Sequence, residues 1–181
     1  MKIGIYIGSF NPPHKGHIYV VKYLLENNVV DNVLIIPTGN YWDKNNLVDL
    51  SHRINMLKLY ENDKIKVDNE NNNYPWTYLL MRKLSEVYPN DSLHLIIGAD
   101  NIKDFNKWKE YQELLKYHII IMNRDGINIR EYLKNYPNGH FTVLEDFHPI
   151  EISSTELRSN TDSEYLDEPV RQYIKTHNLY K

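Results

Sequence analysis

The chain has 181 residues, of which 41% are hydrophobic, a formal net charge of −3 and no cysteine. Without cysteine it has neither disulfides nor a cysteine nucleophile, and its mild charge gives no basic face of the kind that nucleic-acid binding usually needs. No apolar run approaches the ~20 residues of a membrane span, and Met1-Lys2 leads directly into a strand pattern instead of a signal peptide. We therefore expect a cytoplasmic, soluble protein with one domain, residues 1–181, that binds neither nucleic acid nor membranes.

Strand-like apolar runs alternate with helical patterns along the chain. In chain order the sequence predicts a strand at residues 3–7, a helix over 18–25, a strand at 33–36, a helix over 50–60, a strand at 65–67, a helix opened by Pro75, a strand at 93–97, a helix over 108–115, a strand at 118–122, a helix over 129–135, a strand at 141–144 and two C-terminal helical pieces. This alternation favours an α/β fold, a Rossmann-like parallel sheet with helices on both faces.

Four of the predicted strands end in short polar or glycine-bearing segments. These segments are Gly8-Ser9-Phe10, Pro37-Thr38-Gly39, Gly98-Ala99-Asp100 and Asn123-Arg124. In parallel sheets of this kind, ligands bind beyond the carboxyl ends of the strands, at a switch in strand order. We therefore expect all four segments to face the same edge of the sheet and to form one site.

The most informative segment joins the first strand to the first helix and reads Gly8-Ser9-Phe10-Asn11-Pro12-Pro13-His14-Lys15-Gly16-His17. Such a loop turns backbone N–H groups and a helix N-terminus toward one small volume, where negative charge is favoured. His14 and His17 lie three residues apart at the helix start, so both rings can approach the same anion. This predicts a polyphosphate site. An inert loop and half of a zinc site are less favoured, because zinc needs further ligands and no His-Glu-x-x-His helix is present.

A second segment, Ile152-Ser153-Ser154-Thr155-Glu156-Leu157-Arg158, has the pattern of a helix start. Ser153 or Ser154 can cap the helix and Glu156 supports its first turn, so hydroxyls, N–H groups and the Arg158 guanidinium would lie together. Taken alone, an ordinary capping box on a surface helix explains the pattern equally well. Together with the histidine loop, it indicates a second set of phosphate-binding groups.

These segments carry a resemblance to a known family. Gly8 to His17, read as G-x-F-x-P-x-H-x-G-H, and Ile152 to Arg158, read as I-S-S-T-x-x-R, resemble the nucleotidyltransferase superfamily with the His-x-Gly-His signature. Within it the chain is most similar to the bacterial nicotinate-nucleotide adenylyltransferases, through further segments in the same order: 37–40, His52-Arg53 with Met56-Leu57, 98–100 with Phe105 and Trp108, Leu114-Leu115, 168–174 and 179–180. The resemblance spans essentially the whole chain and implies the nucleotidyltransferase fold.

The resemblance implies adenylyl transfer from ATP to nicotinate mononucleotide, which gives nicotinate adenine dinucleotide and pyrophosphate in NAD biosynthesis. It implies direct in-line attack without a covalent intermediate, so that the protein positions the substrates and stabilises charge. Mg²⁺ is expected with the ATP, held mostly by phosphate oxygens and water, and no protein metal site is expected. The implied catalytic residues are His14, His17 and Arg158, and the implied ATP contacts are Gly8, Ser9, Phe10, His14, His17, Gly98, Asp100, Ser154, Thr155 and Arg158.

For the acceptor, the resemblance implies that Trp108 stacks on the pyridine ring, that Thr77 contacts the side of the nicotinate carboxylate and that Lys44 reaches a phosphate. The residue types alone allow plainer interpretations. A helical tryptophan is by default a core residue, Thr77 can be a simple first-turn hydroxyl, and Lys44 and Arg124 can be solvated side chains.

The chain departs from the family pattern in three places. Residues 41–44 read Tyr-Trp-Asp-Lys where the family has a Pro-Pro-His-Lys-like run, residues 77–81 lack the family's Asp and second Thr, and residues 159–164 are acidic where the family is basic. The first two departures lie on the acceptor side. The ATP side keeps its full set of residues.

Several alternatives stay open from the sequence. Nicotinamide mononucleotide or phosphopantetheine could replace nicotinate mononucleotide as the acceptor in the same chemistry. A nucleotide-binding sensor without turnover would keep the fold but has less need of the full set of phosphate-binding residues. A zinc hydrolase using His14 and His17 lacks further ligands at a suitable spacing. The oligomeric state is also open, a homo-oligomer included.

Overall fold

The structure is a computed structural model that describes residues 1–39, 47–124 and 126–181. Lys44 and the rest of the segment 40–46 lie outside the described residues, so the prediction for Lys44 is not tested. Within the described residues, no helix is both long enough and apolar enough to cross a membrane.

Six strands form one parallel sheet in the order β3-β2-β1-β4-β5-β6. The chain builds outward from β1 to β3 and then crosses back to place β4 on the other side of β1. This reversal puts the switch in strand order between β1 and β4, where a ligand crevice is expected. The strands are β1 (Lys2–Gly8), β2 (Asn32–Pro37), β3 (Ile65–Val67), β4 (Ser92–Gly98), β5 (His118–Met122) and β6 (His140–Leu144).

Helices cover both faces of the sheet, as the sequence predicts. Leu80 and Leu84 of α3 pack with Ile5 and Ile97 on one face, and Val21 of α1 belongs to the core on the other face. A third apolar cluster joins α2, α6 and α7. The helices are α1 (Lys15–Glu26), α2 (Leu50–Lys58), α3 (Thr77–Val87), α4 (Tyr111–Leu114), α5 (Ile129–Leu133), α6 (Ser154–Arg158) and α7 (Glu168–Thr176).

The helix predicted over residues 108–115 is wrong in its first half. Two single turns of 3₁₀ helix, Ala99–Asn101 and Phe105–Lys107, precede the short helix α4. Trp108 has extended backbone angles (φ −69°, ψ 137°), and Glu110 is left-handed (φ 54°). A right-handed helix cannot pass through a left-handed residue, so α4 begins only at Tyr111. The helix that Pro75 was expected to open likewise begins later, at Thr77.

Three histidines form a row across neighbouring strands at the amino ends of β4, β5 and β6. His94 pairs with His118, and His118 pairs with His140. The first two rings lie 4.4 Å apart between centroids. Burial, and then the charge of His118, lowers the pKa of His94 to about 4. Burial and the charge of His140 lower the pKa of His118.

This row predicts a loss of stability in mild acid. An unfolded histidine takes up a proton near pH 6.5, whereas folded His94 resists until about pH 4. Its contribution is therefore fully present above pH 6.5 and is lost as the pH falls toward 4. We expect the H94Q variant to lose less unfolding free energy than the wild type between pH 7 and pH 5, by on the order of 1 kcal/mol. Urea denaturation at both pH values measures this loss of unfolding free energy. H148Q, at an exposed position, is the control, and equal pH dependence in all three proteins would contradict the prediction.

Candidate functional site

The site lies at the carboxyl ends of the strands, across the switch between β1 and β4. A cleft of about 430 Å³ opens there. A neighbouring cavity of about 360 Å³ continues from it, and Ser154 lines both. The predicted site residues that line the cleft are His14, His17, Thr77, Gly98, Asp100, Trp108 and Ser154, and those that line the neighbouring cavity are Ser9, Ser154, Thr155 and Arg158.

Gly8 and Phe10 line neither of these two cavities. Phe10 is 2% exposed, and its ring lies edge-on to that of His17 at 4.8 Å between centroids. A side chain at Gly8 would contact the Phe10 ring at 3.2 Å. Gly8 therefore leaves room for the Phe10 ring, which packs against the ring of His17.

The two histidines cap α1 and each other. His14 is the N-cap residue, and its Nδ1 accepts the Gly16 N–H at 3.0 Å. Nδ1 of His17 accepts the His14 N–H at 3.1 Å, and the two rings stack at 3.7 Å. This is a capping box in which imidazoles replace the usual hydroxyl and carboxylate. Because each Nδ1 is an acceptor, each neutral ring carries its proton on Nε2.

Burial keeps both rings neutral. It lowers the pKa of His14 to about 4. It also lowers the pKa of His17 far below its usual range, with a further contribution from the charge that His14 would carry. At neutral pH the pair therefore presents two Nε2–H donors in fixed orientations rather than two positive charges.

Helix α6 brings the second motif to the first loop. Ser154 Oγ donates to the Pro12 carbonyl at 2.9 Å, across 142 residues of sequence. Arg158 donates to the Asn11 carbonyl at 3.0 Å and to Thr155 Oγ1 at 3.2 Å. Ser153 caps the helix by accepting the Glu156 N–H at 3.2 Å, as the sequence predicts. The capping interpretation is therefore confirmed for this helix, and the phosphate-site interpretation stays a prediction.

The opposite wall of the cleft comes from α3 and the segment after β4. Thr77 is the first residue of α3, so first-turn N–H groups of this helix have no acceptor within the helix. Trp108 is half-buried, and its ring lies 5.2 Å from that of Phe105. Asp100 forms an ion pair with Arg124 at 3.4 Å, and both residues line the cleft. A side chain at Gly98 would meet the Asp100 carboxylate at 2.6 Å.

Three residues of the site had no assigned role from sequence reasoning. Arg53 is fully buried and donates to loop carbonyls, Asn11 Oδ1 accepts the Val48 N–H at 3.3 Å, and Tyr180 OH donates to the same oxygen at 2.6 Å. The sequence offers one indication for Arg53, which lies four residues before buried Leu57 and so on the inner face of α2. The partners of Arg53 and Asn11 are backbone groups and a C-terminal tyrosine. No local sequence pattern indicates contacts of this kind.

The position of the His14 ring explains why residue 16 is a glycine. A Cβ at this position would lie 2.8 Å from Cε1 and 2.9 Å from Nδ1 of the His14 ring. Contacts below 3.0 Å require one of the two groups to move. A glycine is therefore required between the two histidines if the His14 ring is to cap the helix.

We expect the G16A variant to be folded but impaired in turnover. Alanine is the better helix former by about 1 kcal/mol, whereas displacement of His14 by about 1 Å can cost on the order of a hundredfold in rate. Steady-state kinetics and thermal unfolding measure the two effects. K22A, at an exposed position on the same helix, is the control. Wild-type kcat in G16A would contradict the steric argument.

Comparisons with known proteins identify the family and the fold of this chain. Residues 5–160 match the cytidylyltransferase-like family. The chain is 33% identical to the nicotinate-nucleotide adenylyltransferase of Bacillus subtilis, with 99% of this chain and 98% of the other covered. It superposes on the Plasmodium falciparum nicotinic acid mononucleotide adenylyltransferase complexed with NaAD with a TM-score of 0.82, at 26% identity and coverage of 99% and 97%. The same enzyme complexed with APC gives a TM-score of 0.79, at 26% identity and coverage of 99% and 96%.

Proposed function

The chain belongs to the nicotinate-nucleotide adenylyltransferases of the cytidylyltransferase-like family, and we propose that it joins ATP and nicotinate mononucleotide into nicotinate adenine dinucleotide by direct in-line transfer. A phosphate oxygen of the mononucleotide attacks the α-phosphorus of ATP. The bond to the β-phosphate breaks, and pyrophosphate leaves with its electron pair. The observation that carries this proposal is the pair of oriented Nε2–H donors beside the docked α6 helix.

The histidines act on the phosphates as neutral donors. Before ATP binds, both rings are uncharged because burial lowers their pKa values, and both are held by the α1 N-terminus through Nδ1. Donors that are oriented before the reaction stabilise the charge that develops in the transition state without reorganising. We assign His17, which is packed against Phe10, to the reacting α-phosphate and His14 to the neighbouring phosphates.

The leaving pyrophosphate is bound by Ser154, Thr155 and Arg158. They line the cavity that continues from the cleft, and Arg158 uses one N–H on the Asn11 carbonyl and one on Thr155. A guanidinium has five N–H donors, so others remain for phosphate oxygens. The charge of Arg158 offsets the negative charge that accumulates on pyrophosphate.

Mg²⁺ would arrive with ATP. Within residues 1–39, 47–124 and 126–181, no three His, Asp or Glu side chains are grouped so that they could hold a metal ion. Mg²⁺ keeps several waters and is bound largely by substrate phosphates in sites of this kind. The residues present fit that mode, in which the ion neutralises phosphate charge and the protein supplies the hydrogen-bond donors.

The wall formed by Thr77 and Trp108 favours nicotinate over nicotinamide. The N-terminus of α3 lies at Thr77, and a helix N-terminus favours a carboxylate over a neutral amide. Trp108 offers a flat apolar face in the same cleft. Phosphopantetheine has no aromatic ring for this face, which makes it the weaker alternative acceptor.

The first experiment measures pyrophosphate release from ATP and Mg²⁺ with nicotinate or nicotinamide mononucleotide in separate reactions. The H17N variant is a sharp test, because an asparagine oxygen can still accept the His14 N–H while the Nε2–H donor is lost. We expect a clear preference for nicotinate and a loss of about a hundredfold in kcat in H17N with little change in Tm. H140A, at an exposed position on β6, is the histidine control.

The possible results separate the alternatives. A preference for nicotinamide would keep the mechanism and change the acceptor. ATP binding without release of pyrophosphate with either acceptor would contradict the proposal and favour phosphopantetheine or a nucleotide sensor.

A second prediction concerns Trp108. Replacing its ring by a methyl group removes the stacking surface, so we expect W108A to raise the KM for the mononucleotide on the order of tenfold and to leave the KM for ATP within about twofold. W108F keeps an aromatic face and should recover most of the affinity. Equal increases in both KM values would mean that the substitution disturbs the whole cleft instead of one subsite.

A further inference from the structure

Arg53 is the largest fully buried side chain of the described residues, at 0% exposure. It lies on α2 and, within the described part of the chain, donates hydrogen bonds to three backbone carbonyls. Nε donates to Val48 at 3.0 Å, and Nη1 donates to Ser9 at 3.0 Å and to Thr38 at 2.6 Å. One guanidinium therefore connects three separate segments of the chain.

Two of these segments line the cavity that neighbours the cleft. Ser9 lies in the loop after β1, directly before the capped α1 helix, and Thr38 lies after β2. Both line the cavity together with Thr155 and Arg158. The strands β1 and β2 are neighbours, and the Thr38 N–H donates to the Gly8 carbonyl at 2.9 Å. Beyond that bond the strand ladder ends, and Nη1 of Arg53 joins the two loops.

The electrostatics argue that this contact is more than packing. Burial lowers the pKa of Arg53, and the charge of Asp49, together with the charge that Tyr180 would carry if it were ionised, opposes that shift. An arginine retains its proton even when buried, so a full positive charge lies beneath the cavity. A buried charge is costly unless it is well hydrogen-bonded, and an apolar residue would fill the same core position at lower cost. A buried arginine at this position is explained if the protein needs the carbonyl groups that Arg53 binds to be held in place.

We propose that Arg53 is a positioning residue for the adenylyl transfer, because it holds the loop after β1 and the loop after β2 together around the cavity assigned to the leaving pyrophosphate, which must lie in line with the attacking phosphate. The inference rests on the proposed function. In-line attack tolerates little displacement of the two reactants. The donors of Arg53 lie in a flat fork, whereas a lysine offers a single nitrogen on a flexible stem. Lysine can therefore keep the charge but not the three-carbonyl geometry.

The test compares R53K, R53M and L57A with the wild type. Leu57 is also 0% exposed on α2 but packs in the apolar core, so L57A controls for loss of stability. All kinetics are measured well below the lowest Tm of the set. We expect kcat to fall at least tenfold in R53K and further in R53M, while the Kd of ATP measured alone changes less than threefold. L57A should lower Tm and keep kcat within about twofold.

A second readout does not depend on turnover. Amide hydrogen exchange of the segments 8–11 and 37–39 should speed up in R53K and R53M and stay at the wild-type rate in L57A. Wild-type kcat in R53M, or parallel losses of kcat in R53M and L57A, would overturn the positioning role. Unchanged exchange in both loops would overturn it as well.

The two proposals fail separately in this design. If the wild type does not release pyrophosphate with nicotinate mononucleotide, the proposed function fails, and the exchange rates alone decide whether Arg53 joins the loops. If the wild type is active and the Arg53 variants match it, only the positioning role fails.

Discussion

The start of α1 controls the chemistry of this site. A helix N-terminus leaves N–H groups without acceptors, and here two imidazoles satisfy them through Nδ1. That single arrangement orients both rings and places their remaining protons on Nε2, and burial keeps the rings neutral. Gly16 makes it sterically accessible, because any side chain at that position would contact the His14 ring. Structural capping and, in the proposed function, the donation of hydrogen bonds to phosphates are therefore two uses of the same two side chains.

The remainder of the site is positioned against that helix. The switch between β1 and β4 opens the cleft, and α6 docks its motif on the loop through Ser154 and Arg158. From below, Arg53 joins the loops after β1 and β2. The chain as a whole is acidic, at −3, yet the site collects the N-termini of α1 and α3 and the arginines Arg53, Arg124 and Arg158. Local geometry, and not net charge, makes this surface suitable for polyphosphates.

Much of the fold follows from patterns that are local in sequence. All six strands and the helices on both faces form where the periodicity predicts them, because burial on a sheet or helix face requires a fixed spacing of apolar residues. The region after β4 is the exception. There Phe105 is buried and Trp108 faces the cleft, but the left-handed Glu110 breaks the helix that the pattern predicts. The backbone conformation of this one residue overrode the local preference.

The sequence by itself determined the order of the elements and the parallel sheet, and it pointed to the two segments proposed to bind phosphate, because each of these features lies in neighbouring residues. Only the tertiary structure decided how these segments meet. It set the contact of Ser154 with Pro12 and the carbonyl partners of Arg53. The physical reason is that these partners are mostly backbone groups. Every residue carries a carbonyl group, so only the folded chain shows which of them a side chain reaches.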